Sequence, residues 1–158
     1  MEPASYQQEI ARLRGLGWIC AWHQEPKDLP PEIHLRYPWL PDEYLDFVRG
    51  LDECVSPSET RWILSPVDFD IRHTHAWRHD EWEQLSLDAA EGDEGLIKGI
   101  RSFWDSHIPI SLDVTDGYSF HALRVSDRSG AVVAGREPEF EVASEVAFSF
   151  RDFLARLE

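Results

Sequence analysis

The sequence has few of the features that carry chemistry. There are only 2 cysteines in 158 residues, Cys20 and Cys54. They do not form a C-x-x-C pair, so neither a zinc ribbon nor a dithiol redox motif is indicated. No G-x-S-x-G elbow is present, which leaves a serine nucleophile without its usual setting. The glycines of "GLGW" and "GDEG" do not form a phosphate loop leading into a helix, and the carboxylates in the second would repel phosphate. Paired carboxylates among 30 acids arise by chance and identify no acid–base pair. Cys20, between Trp18 and Trp22, reads as a core residue. No cofactor and no catalysis are expected. No run reaches the length of a membrane span. The N-terminus lacks a basic start followed by an apolar stretch. With two lone thiols, this implies a reducing compartment, and the expectation is a cytoplasmic protein.

Positive charge is also scarce. Fifteen basic residues stand against 30 acidic ones, a formal net charge of -15. Such a chain repels nucleic acid and anionic membrane, so neither is an expected partner. A basic protein is the natural complement, although acidity also serves solubility alone. What the chain does have is apolar material: hydrophobic residues make up 42% and aromatics 12%, with 7 tryptophans, enough for an ordered core with rings to spare for an interface. The length suits a single domain over residues 1–158.

Tyr6, Ile10 and Leu13 recur at helical spacing, with Gly15 and Gly17 as a stop. "WICAWHQEP" reads as a strand. The four prolines of "KDLPPEIHLRYPWLP" predict an irregular segment that wraps the surface. In "LPDEYLDFVRGLDE", Pro41 suits the first helical position and Asp42 and Glu43 the positive end of the helix dipole. Tyr44, Leu45, Val48 and Leu51 share a face of that helix. "RWILSPVDF" reads as a strand stopped by Pro66. Leu96, Ile97, Ile100, Phe103 and Trp104 lie on one face of a further helix.

From Ile108 the period falls to two, with Ile108, Ile110, Leu112 and Val114 forming one buried face. The turns "TDG" and "SDRSG" separate this strand from "YSFHALRV" and "AVVAG", giving antiparallel hairpins. In "SEVAFSFRDFLARLE", Val146, Phe150, Phe153, Leu154 and Leu157 predict a closing helix packed on the sheet, with Ser144 as its cap. The fold class is α+β: one mainly antiparallel meander flanked by helices, mostly on one side.

Several of these segments, in this order, resemble the SUKH superfamily, which includes fungal regulators of cell-wall synthesis and many bacterial immunity proteins. The matching parts are Leu40-Pro41 with Tyr44 and Phe47, Asp116-Gly117-Tyr118, and Ser149-Phe150 through Leu154. The resemblance spans about residues 40–157, with 1–39 as an N-terminal helix and Pro-rich extension. It implies a SUKH-like α+β fold, no catalysis, and protein binding. For bacterial members it implies neutralisation of a toxin, often a nuclease, whose basic substrate groove an acidic inhibitor would complement.

Two stretches compete as the functional site. "DEWEQLSLDAAEGDEG" carries Asp80, Glu81, Glu83, Asp88, Glu91, Asp93 and Glu94 without a cation among them. It reads either as a solvated loop or as an acidic surface for a basic partner, with Trp82 as an aromatic anchor at its centre. A calcium loop is disfavoured because the EF-hand spacing is absent. If this stretch is only a solubilising loop, the binding face falls to Asp113 to Tyr118 instead. The rival stretch, "RHTHAWRHDEW", supplies His73, His75 and His79 with Asp80 or Glu83 as potential metal ligands. Its spacing fits neither one strand nor one helix, and Arg72 and Arg78 intervene, so it reads as a pH-sensitive surface segment. The expected function is a non-enzymatic protein-binding module, an immunity protein that occludes a basic toxin. A regulatory scaffold for a host protein or peptide is the alternative, and a metal-dependent enzyme using the histidines the weaker one.

Overall fold

The structure is a computed structural model that describes residues 1–72 and 77–158. Among the described residues, seven strands form one antiparallel meander, each pairing with its neighbours in chain order: β1 (Ile19–Trp22), β2 (Leu51–Val55), β3 (Arg61–Ile63), β4 (His107–Asp113), β5 (Ser119–Arg124), β6 (Val132–Arg136) and β7 (Ser144–Ala147). Among the described residues there are six α-helices: α1 (Gln7–Gly15), α2 (Pro31–Arg36), α3 (Asp42–Val48), α4 (Glu81–Ala89), α5 (Glu94–Ser106) and α6 (Phe150–Arg156). The expected α+β class is therefore observed.

Helices cover both faces of the sheet rather than mainly one. Phe120 and His121 are neighbours on β5 and so point to opposite faces. The Phe120 ring meets Trp104 at 4.8 Å and Trp82 at 5.4 Å, which places α5 and α4 on its side. The His121 ring meets Phe153 of α6 at 4.8 Å on the other side. There Phe150 packs edge-on against Tyr6, Tyr44 and Phe47, joining α6 to the N-terminal segment and α3. Two covered faces explain why Pro109 and Ser111 of β4 are buried along with Ile108, Ile110 and Leu112. Pro109 lies in a central strand at a shift in register, where a missing N–H is tolerated.

The Pro-rich stretch does not simply wrap the surface. Pro31 opens α2 at a position where no N–H is needed, and Leu29, Ile33, Tyr37 and Leu40 bury into the core. Helix α3 stops at Val48 with Pro41 as its N-cap, not its first residue. Gly50, at φ 78, turns the chain so that Leu51 begins β2 instead of extending the helix. At the C-terminus, Ser144 to Ala147 pairs with β6 as a strand. The helix starts at Phe150, where Ser149 Oγ accepts the N–H of Asp152 at 3.0 Å, so Ser149 and not Ser144 is the cap. Val146 and Leu96, expected inside, are exposed, whereas Phe150, Phe153, Leu154 and Leu157 are buried. Cys20 and Cys54 face each other across β1 and β2 as buried free thiols, with sulfurs 3.4 Å apart.

Candidate functional site

The acidic stretch folds as helix α4, a turn and the start of α5, not as a loop. Its first turn faces inward. Trp82 is fully buried, stacked on Trp104 at 6.2 Å and edge-on to Trp77 at 5.0 Å. It is therefore a core residue and not an exposed anchor, because one position of the first helical turn must fill the space above Phe120. Glu83 is also removed from any partner-facing surface. Its side chain is 9% exposed and accepts two charge-assisted bonds from Arg36, at 2.9 and 2.8 Å. Burial opposes the charge of Arg36, but the bonds to Glu83 outweigh it and hold the guanidinium above its usual range. Asp80 is half-buried and accepts from Arg78 at 3.1 and 2.8 Å.

The remaining acids present a different face. Glu81 is half-buried, while Asp88, Glu91, Asp93 and Glu94 are exposed around the turn between α4 and α5. This turn uses two successive left-handed residues, Glu91 at φ 49 and Gly92 at φ 81. Asp93 caps α5 by accepting the Leu96 N–H at 3.1 Å. Asp88, Glu91 and Glu94 have no ion-pair partner among the described residues. Of the eight expected binding residues, the structure thus exposes Asp88, Glu91, Asp93 and Glu94, half-buries Asp80 and Glu81, and withdraws Trp82 and Glu83.

Of the histidine segment, His73 and His75 lie outside the described residues. His79 is buried with its ring 5.1 Å from Phe69, and its Nδ1 has no partner among the described residues. Burial holds it neutral, its pKa lowered to about 4.

A second feature was not anticipated from sequence. Trp62, Trp77 and Tyr118, with Asp52, Glu53 and Asp68, line an open groove of about 440 Å³. Trp62 stands opposite Leu112 in the β3–β4 pairing, so both project to the same side of the sheet. Glu53 is exposed, and Asp52 is 3.4 Å from His23 with over half of its side chain exposed. The Asp68 carboxylate accepts the N–H and hydroxyl of Ser65, at 2.8 and 3.2 Å. Among the described residues, no lysine or arginine lines the groove. The signal was present as "LDECV" followed by "RWI", but assigning Leu51 to the preceding helix concealed β2. Tyr118 falls at the edge of the fallback stretch Asp113 to Tyr118. A larger groove of about 850 Å³ lies between α4–α5 and residues 138–142. Its Glu141 is already occupied, accepting from Trp104 Nε1 and Ser86 Oγ at 2.8 Å each.

Among the described residues, no helix is long and apolar enough to cross a membrane, and no group of three or more metal-ligating side chains converges. Comparisons with family models, curated proteins and solved structures find no match to this chain.

Proposed function

We propose that this protein is a non-enzymatic binding module for a basic protein, and that it acts as an immunity protein by occluding a toxin of the nuclease type. The observation that carries this reading is the exposed turn between α4 and α5. Asp88, Glu91 and Glu94 project there without ion-pair partners among the described residues, in a chain of net charge -15. Unpaired carboxylates on one surface repel each other, a cost that a cationic partner removes. The ordered resemblance to immunity proteins supplies the biological form. Occlusion needs no chemistry from the inhibitor: long-range attraction speeds encounter, and short-range packing sets the residence time.

The test uses the partner recovered by pull-down from the native host and identified by mass spectrometry. Surface plasmon resonance then compares wild type with Asp88→Lys/Glu91→Lys/Glu94→Lys at low and high salt. The expected result is a reduced on-rate for the variant, with the difference shrinking at 1 M salt, where the Debye length is about 3 Å. Identical on-rates at both salt concentrations would refute this surface as the steering face.

A further inference from the structure

The groove beside β2 and β3 differs from the acidic turn in one respect: it joins carboxylates to aromatic rings that pack on the core with one side and stay partly exposed on the other. Trp82 and Trp104 spend their faces on each other and on Phe120. Trp62 and Tyr118 make no ring–ring contact among the described residues and are half-buried at the groove. Leu112 adds an apolar wall.

We propose that this groove receives a lysine or arginine side chain presented by the partner. The proposal rests on the reading that the partner is a basic protein, and it names where one of its cations is held. The chemistry of the walls selects this occupant. A long cationic side chain has an aliphatic stem that Trp62 and Leu112 can cover and a head attracted to the ring faces and to Asp52 and Glu53. An anion would meet three lining carboxylates and, among the described residues, no lining lysine or arginine. A wholly apolar side chain would strip water from Asp52 and Glu53 without supplying a donor, and desolvating carboxylates that way is costly. The volume of about 440 Å³ is ample for one long side chain and lies within the range of small-ligand clefts. Asp52 and Glu53 lie on β2, Trp62 on β3 and Leu112 on β4, so this part of the wall is held by paired strands before the partner arrives.

The test requires only the full chain and small probes. The indole N–H resonances of Trp62 and Trp77 are followed by NMR on the ¹⁵N-labelled protein, with Trp62 assigned through Trp62→Phe. The additions are N-acetyl-arginine amide, N-acetyl-lysine amide and the uncharged N-acetyl-norleucine amide. Saturable shifts of the Trp62 indole with the two cationic amides, but not with norleucine amide, are expected. Asp52→Asn/Glu53→Gln, which alters only exposed carboxylates, should weaken the cationic titrations roughly two- to five-fold, the range of exposed ion pairs, while its remaining spectrum stays that of the wild type. Equal shifts with norleucine amide would make the groove an apolar site, and no saturable shift would remove it as a site. Either result overturns the proposal. The basic-partner reading is judged separately, by the salt-dependent on-rates above, so the two failures are distinguishable.

Discussion

Arg36 and Glu83 tie α2 to α4 through paired hydrogen bonds, and Arg36 also reaches Asp105 at 3.1 Å. Removing Glu83 leaves a guanidinium that is only 25% exposed with one weaker partner. Glu83→Ala should therefore cost about 3 kcal/mol in urea unfolding, the lower part of the range for breaking a buried pair. His121 is a second residue whose surroundings set a measurable property. It lies on β5, with Nδ1 2.8 Å from the Ser111 hydroxyl and its ring against Phe153. Burial holds its pKa down at about 4, with Asp113 raising it and Arg61 lowering it by smaller amounts. The folded value lies below the unfolded value of 6.5, so between these values the unfolded chain binds the extra proton. Stability attributable to His121 is thus intact above pH 6.5, falls as the pH drops towards 4, and is level below it. The slope approaches roughly 1.4 kcal/mol per pH unit for one such group. His79, also lowered to about 4, adds to the same window. His121→Asn should flatten the urea-midpoint profile between pH 7 and 5 by about one proton relative to wild type. An unchanged slope would mean that His121 titrates normally in the folded protein.

At the scale of elements, α4 shows why a charge run is not a loop. Its acids occupy the positions left by an inward stripe, and that stripe holds the largest side chain available. Trp82→Ala should cost about 3–5 kcal/mol in stability, as for emptying any buried large aromatic site. Its effect on partner binding at a temperature where the variant is folded should be small, because the ring contributes no exposed surface. The β7–α6 boundary offers a finer check. Ser149→Ala removes the bond to the Asp152 N–H and should lower stability by about 1 kcal/mol. Ser144→Ala, in an exposed position of β7, should leave the unfolding midpoint nearly unchanged. The sequence misleads here because "SEVAFSF" satisfies two patterns: Val146 and Phe150 keep helical spacing, while pairing of Val132 with Ala147 requires an extended chain. Strand pairing wins since β6 offers an edge with backbone groups that need partners.

For the whole molecule, the net charge of -15 is a standing electrostatic cost at neutral pH. Asp88→Lys/Glu91→Lys/Glu94→Lys breaks no ion pair among the described residues and reduces that repulsion. Its melting temperature should stay close to that of wild type in a calorimetric scan, because the lower repulsion offsets the loss of Glu94 from the first turn of α5, even as the on-rate to a basic partner falls. Asp93 is left intact because it caps α5, and replacing it would confound binding with a stability loss of about 1 kcal/mol.

The sequence by itself determined the class of the fold and much of the framework. The period-two run from Ile108, the turns at Gly117 and Gly130, and the helical stripes at Tyr6 and Phe150 are local patterns, fixed by backbone geometry and by which side chains avoid water. Composition likewise determined the acidic character, a net charge of -15. Tertiary structure decided which face each element buries and what meets across chain distances of tens of residues. It placed Trp82 under α4 and not on its surface, since Trp104 and Phe120 leave a space that only a residue from that turn fills. It also paired β2 with β3 and β3 with β4, bringing Glu53, Trp62 and Tyr118 around one groove. Helical and strand periods are written residue by residue, but the partner of a face is a property of the packed whole. That is why the acidic stretch was legible as charge and its placement in the fold was not.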